Sequence, residues 1–108
     1  MTADPVALLP TVLRVFTDNT LDEAVALFKA YAEGGGSFAG DALACLDAVL
    51  AAPPPDLPQQ MKEHGWLELV RETEDGDEIP LTFDEHVAWL RAATERFRGV
   101  VRELQHPA

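Results

Sequence analysis

Leu81-Thr82-Phe83-Asp84-Glu85-His86-Val87-Ala88-Trp89-Leu90 is the stretch where extended character gives way to helical character. Thr82, followed three residues on by Glu85, forms a capping box: the hydroxyl accepts from the Glu85 N–H and the carboxylate reaches back to the Thr82 N–H. Beyond it, Phe83, Val87, Leu90, Phe97, Val101 and Leu104 alternate steps of four and three, with Thr94 the one polar member. Trp89 and Ala93 widen the stripe. This spacing predicts a long amphipathic helix, to about Leu104, that forms the spine of the core.

Immediately upstream, the pattern is that of a β-hairpin at about residues 66 to 83. Trp66-Leu67-Glu68-Leu69-Val70 and Ile79-Pro80-Leu81-Thr82-Phe83 flank Glu74-Asp75-Gly76. A two-residue turn would put Leu69 opposite Thr82 and Glu72 opposite Ile79, mixing acids into the apolar face. A three-residue loop, Glu74 to Gly76, puts Leu69 opposite Leu81 and Leu67 opposite Phe83, with Ile79 on the same side. The second register is expected, because it leaves one apolar face and gives Gly76 the left-handed position such a loop requires. It also sets Glu72 directly opposite Glu78.

The first half of the chain reads as helices. Asp4-Pro5 has the form of an N-cap with proline at N1, and Val6, Leu9, Leu13 and Phe16 follow at helical spacing. Pro10 either kinks this helix or marks a later start. Thr20 and Glu23 form another capping box, before an apolar face of Leu21, Val25, Phe28 and Ala32. Gly34-Gly35-Gly36 stops that helix. Ser37 to Ala52 is a third, with Leu43, Leu46, Val49 and Leu50 inward. Pro53-Pro54-Pro55 ends it, and Asp56 caps a short helix from about Leu57 to His64, closed by Gly65. The expected fold is therefore mainly α (α+β): one domain over residues 1-108, with four to five helices around a long C-terminal helix and one hairpin.

Composition narrows the function. The 108 residues carry 19 acids against 8 Lys and Arg, a net charge of −11, and 47% are hydrophobic. A chain of this length buries roughly two-thirds of its unfolded surface on folding, so it supports a core without staples. Direct nucleic-acid binding and an anionic membrane surface are both disfavoured, since each requires clustered Lys and Arg. No apolar run approaches the roughly 20 residues of a membrane span. Cys45 is the only cysteine, so neither an internal disulfide nor a thiolate zinc site is expected. With no basic residue before Arg14 and no signal-type run, the expected location is the cytoplasm.

The acids are concentrated. Residues 1 to 90 carry −13 and residues 91 to 108 carry +2. Between 68 and 85, eight acids face Arg71 alone, a net of −7. Like charges directly opposed across a ladder cost up to about 1 kcal/mol, which a surface serving stability alone would avoid. Solvated surface and turn preference account for many acids at hairpin tips. A docking face for a basic protein accounts for the opposed pair as well. The candidate partner-binding residues are Glu68, Glu72, Asp75, Asp77, Glu78 and Asp84.

Catalytic and metal motifs fail on spacing. With Gly76 at the sixth position of a calcium loop, Arg71, Thr73 and Thr82 fall where acids are required. His64, His86 and His106 show no ligand spacing; His86 fits a satisfied boundary histidine and His64 a helix C-terminus. Ser37 fits an N-cap, and Cys45 lies within an apolar helical stretch as an inert thiol. Gly34-Gly35-Gly36-Ser37 lacks the lysine of a phosphate loop. Arg91, Arg96, Arg98 and Arg102 complement the last helix's dipole or bridge to the acidic helices. No enzyme activity, metal or cofactor is expected.

The order of Asp41-Ala42-Leu43-Ala44-Cys45-Leu46-Asp47-Ala48-Val49-Leu50, Pro54-Pro55-Asp56-Leu57 and Leu81 to Leu90 resembles the small immunity proteins of contact-dependent growth inhibition and related polymorphic toxin systems. The resemblance covers about residues 41 to 104. It departs at Gly34 to Gly36, where such proteins often carry an aromatic and acidic segment. It implies a cytoplasmic, bacterial inhibitor that binds one cognate toxin domain, and it assigns no individual residue; a monomer is expected because the last helix's stripe is read as intramolecular core. Many such toxins are basic nucleases, which suits an acidic face. Two other readings remain open: an acidic regulator or DNA mimic, and a homo-oligomeric helical module built on the last helix.

Overall fold

Pro10 decides how the chain begins. The computed structural model describes residues 5–105; the cap expected at Asp4 and the histidine at 106 lie outside that range. Pro5–Leu8 is a 3-10 turn, α1 is Leu9–Leu13 with Pro10 in its first turn, and Arg14–Phe16 is again 3-10. The later start is the one adopted, since a first-turn proline removes only an N–H that has no helical partner. Leu9, Val12, Leu13, Val15 and Phe16 are all buried. The Asn19 amide donates to the Val15 carbonyl at 2.8 Å, closing this segment.

Four longer helices follow. α2 is Leu21–Glu33, α3 is Phe38–Ala51, α4 is Leu57–Gly65 and α5 is Phe83–Gln105. Both capping boxes form. The Thr20 N–H donates to Glu23 Oε1 at 2.9 Å, and the Glu23 N–H to Thr20 Oγ1 at 3.1 Å. The Thr82 N–H donates to Glu85 Oε1 at 2.9 Å, and the Glu85 N–H to Thr82 Oγ1 at 3.2 Å. The other two expected caps differ. Ser37 holds the N-cap position without a side-chain bond to the backbone. The Asp56 carboxylate accepts from Gln60 Nε2 at 2.9 Å instead of from the helix amides.

The boxes give the fold an acid sensitivity. The Thr20 backbone N–H holds the Glu23 carboxyl below its ordinary value of 4.5, and the Thr82 N–H does the same for Glu85. A carboxyl lowered in the folded state stabilises fully above its unfolded pKa and loses that contribution as pH falls through the folded value. Melting temperature is therefore expected to fall as pH drops below 4.5. A Glu23→Gln, Glu85→Gln double variant keeps the acceptors but cannot titrate. Its melting curve is expected to be flatter in that range, and parallel curves would remove the boxes as the cause.

α5 packs against α2, α3 and α4. At their junction the Phe97 ring stacks on Phe28 with centroids 4.4 Å apart and on Phe16 at 5.7 Å, and Trp89 meets Phe16 edge-on at 5.4 Å. The buried side chains form one cluster, and Cys45 and the inward leucines of α3 belong to it. Thr94 is fully buried and satisfied, donating to the Leu90 carbonyl at 2.7 Å.

The buried stripe of α5 is rotated from the expected one. Its buried residues are His86, Leu90, Ala93, Thr94, Phe97 and Val100. Val87 and Val101 are half-buried, while Phe83 and Leu104 are each 37% exposed. The axis of the buried face lies about 40° from that of the four-and-three stripe at 100° per residue. The exposed ends follow from length: α5 has 23 residues, against 13 in α2 and 14 in α3, so its ends run past both partners. His86 thus sits in the core, 6% exposed, with Nδ1 2.8 Å from the Thr82 carbonyl.

α4 ends one residue later than expected. Gly65 is its last residue, and Trp66 takes the left-handed cap position with φ 53°. Gly65 is reserved for a close approach instead: a Cβ there would stand 3.0 Å from the Leu13 carbonyl oxygen. Thr17 Oγ1 donates to the His64 carbonyl at 3.1 Å across the same junction.

The hairpin has the three-residue register. β1 (Val70–Glu72) pairs antiparallel with β2 (Glu78–Pro80), with Val70 opposite Pro80, Arg71 opposite Ile79 and Glu72 opposite Glu78. Gly76 has φ 85°, and the Thr73 N–H donates to the Asp77 carbonyl at 2.7 Å. The Leu81 N–H to Leu69 carbonyl bond, 3.0 Å, continues the pairing by one residue. It goes no further, because the capping box turns the chain into α5 at Phe83; the expected pairing of Leu67 with Phe83 is absent. The apolar face is only partly covered: Leu67, Leu69 and Leu81 are half-buried, whereas Ile79 is exposed.

Candidate functional site

The six acids singled out from the sequence all lie exposed on or beside the hairpin. Parity of the ladder fixes how they stand. The Leu69–Leu81 and Thr73–Asp77 bonds make 69/81, 71/79 and 73/77 the hydrogen-bonded pairs. Glu72 and Glu78 therefore form a non-hydrogen-bonded pair, where Cα atoms approach to about 4.5 Å and side chains are closest. Asp75 is at the loop. Asp77 holds the loop through its own N–H, which donates to Thr73 Oγ1 at 3.1 Å, leaving its carboxylate outward. Glu68 continues the row of Glu72 by alternation, and Asp84 stands in the first turn of α5.

Cations are distributed unevenly around these acids. Lys62 Nζ lies 3.6 Å from Glu68, and Arg71 lies 3.6 Å from Glu85. Among the described residues no cation is in ion-pair range of Glu72, Asp75, Asp77, Glu78 or Asp84. The C-terminal arginines serve other acids: Arg96 reaches Asp22 on α2 at 2.7 Å, and Arg98 bonds Asp47 on α3. The Asp47 hydrogen bond also pushes the Arg98 pKa up. The expected bridges to the acidic helices thus form, and among the described residues they leave Glu72, Asp75, Asp77, Glu78 and Asp84 without a cation.

Two features escaped the sequence. A groove of about 460 Å³ opens between α4 and the hairpin, with Pro58 and Lys62 on one wall, Leu67, Leu69 and Leu81 on the other, and His86 at its base. Beside it stands Trp66, 61% exposed. A non-glycine residue in the left-handed region costs roughly 1–2 kcal/mol, and here it carries a large ring into solvent. The only sequence signal was Gly65-Trp66 after a helix, and it reads equally well with glycine as the cap.

Among the described residues no three or more His, Cys, Asp or Glu side chains converge as metal ligands would, and no helix is long and apolar enough to cross a membrane. The arrangement offers an anionic ridge, an apolar groove and an exposed indole side by side. Compared with protein-family models, curated proteins and solved structures, the chain matches none of them.

Proposed function

We propose that this chain is a cytoplasmic, non-enzymatic immunity protein. It binds a cognate basic toxin domain, of the nuclease type, through the acidic hairpin and neutralises it. The observation that carries the reading is the Glu72–Glu78 pair, opposed in the ladder with no cation on either member. An arrangement that costs folding free energy is explained when a basic partner supplies the missing charge. Trp66 supports the same reading, since exposed tryptophans beside a charged rim are typical anchors of protein interfaces.

The test is direct. The neighbouring genes are read first, and if one encodes a large secreted protein, its C-terminal domain is expressed with and without this chain. Co-expression is expected to rescue growth, and titration calorimetry is expected to give a one-to-one complex. Trp66→Ala is expected to weaken that complex by at least about tenfold, the scale of an interface anchor. Binding that survives unchanged in Trp66→Ala and in hairpin charge variants would place the interface elsewhere. Competition by duplex DNA for the same partner would favour the DNA-mimic alternative.

A further inference from the structure

We propose that the outer edge of β1 receives an extended segment of the partner as a third strand, and that this segment alternates basic with apolar residues. The inference rests on reading the acidic hairpin as a protein-binding face, and it specifies how that face binds.

The same parity that opposes Glu72 and Glu78 aims the N–H and C=O groups of Val70 and Glu72 away from β2. Among the described residues no other element's backbone lies alongside either strand, and every residue of both strands is exposed. The two edges are not equivalent. On β2 the outward positions are Glu78 and Pro80, and Pro80 has no N–H to offer, so that edge is half blunted. On β1 both outward residues keep donor and acceptor, the requirement for strand addition.

Side chains then state the occupant's chemistry. One face of β1 carries Val70 and Glu72, with Glu68, already near Lys62, extending the row, and its acids call for Lys or Arg on the added strand. The other face carries Arg71, paired with Glu85, and before it Leu69 and Leu67, which border the groove against α4. It calls for Val or Ile at the alternate positions. A second copy of this chain is a poor occupant, because residues 68 to 85 carry −7 on each copy. The acids thus keep an open edge from pairing with itself while admitting a basic strand.

The test uses the full chain, labelled with ¹⁵N, and a short synthetic peptide alternating lysine with valine. In the free protein the Val70 and Glu72 amides are expected to exchange rapidly while Arg71 and Thr73 are protected. Added peptide is expected to protect Val70 and Glu72. A Glu68→Lys, Glu72→Lys variant is expected to bind it about tenfold more weakly, as the loss of two cross-strand charge pairs implies. A peptide N-methylated at alternate residues, with equal charge but no edge donors, is expected not to bind. If the methylated peptide binds equally and the amides stay unprotected, strand addition is wrong while the acidic docking face stands. Failure of both peptides overturns strand addition and counts against the face. Protection that appears with protein concentration alone, without peptide, overturns it in favour of self-pairing.

Discussion

Phe97→Ala is expected to lower the free energy of unfolding by about 3–5 kcal/mol, the cost of removing a fully enclosed ring and leaving a cavity. The ring is wholly buried, stacked on Phe28 and Phe16 at the junction of α5, α2 and the first helical segment. Small domains hold only about 5–15 kcal/mol in total, so this one change removes a large share. Phe83→Ala, at the start of the same helix and in the same sequence stripe, is expected to cost far less, because Phe83 is already part-exposed where α5 outruns its partners. Urea denaturation checks both: the midpoint should fall strongly for Phe97→Ala and little for Phe83→Ala, with the slope unchanged. Equal losses would mean that the N-terminal end of α5 carries the core as much as its middle does.

That contrast marks what the sequence disclosed and what it did not. The capping boxes at Thr20 and Thr82 were legible because each is local: a hydroxyl and a carboxylate three residues apart meet whatever the rest of the chain does. The hairpin register was legible because a one-residue slip would have moved every apolar side chain to the acidic face. The buried face of α5 was only half legible. Periodicity gives the spacing of a stripe, but its centre is set by where α2, α3 and α4 lie, and its ends by how long they are. His86 and Val100 were therefore taken into the core and Phe83 and Leu104 left out. Gly65 and Trp66 were illegible in principle, since a glycine needed for conformation and a glycine needed for space are the same letter. The Leu13 carbonyl that decides between them is distant in sequence. The acids of the candidate site could be named from the sequence. That all of them but Glu68 lack a cation among the described residues could not, because only the packing of α5 directs Arg96 and Arg98 to Asp22 and Asp47.

Glu78→Lys is expected to move stability and partner affinity in opposite directions. In the folded chain Glu78 faces Glu72 across a close pair with no cation on either. A lysine there turns repulsion into attraction, worth about 0.2–1 kcal/mol in the hairpin, and the melting temperature should rise slightly. The same change takes the net charge of residues 68 to 85 from −7 to −5 and sets a cation in the middle of the ridge. Steering by a charged face raises association rates by roughly 10- to 1,000-fold at low salt, so association with a basic toxin domain should slow and lose much of its salt dependence. Stopped-flow mixing at low and moderate salt, run beside a thermal melt, measures both effects on one sample. A rise in stability with association unchanged would identify the ridge as ordinary solvated surface. A rise in stability with slower, less salt-sensitive association is the signature of acids kept for a partner at the expense of the fold.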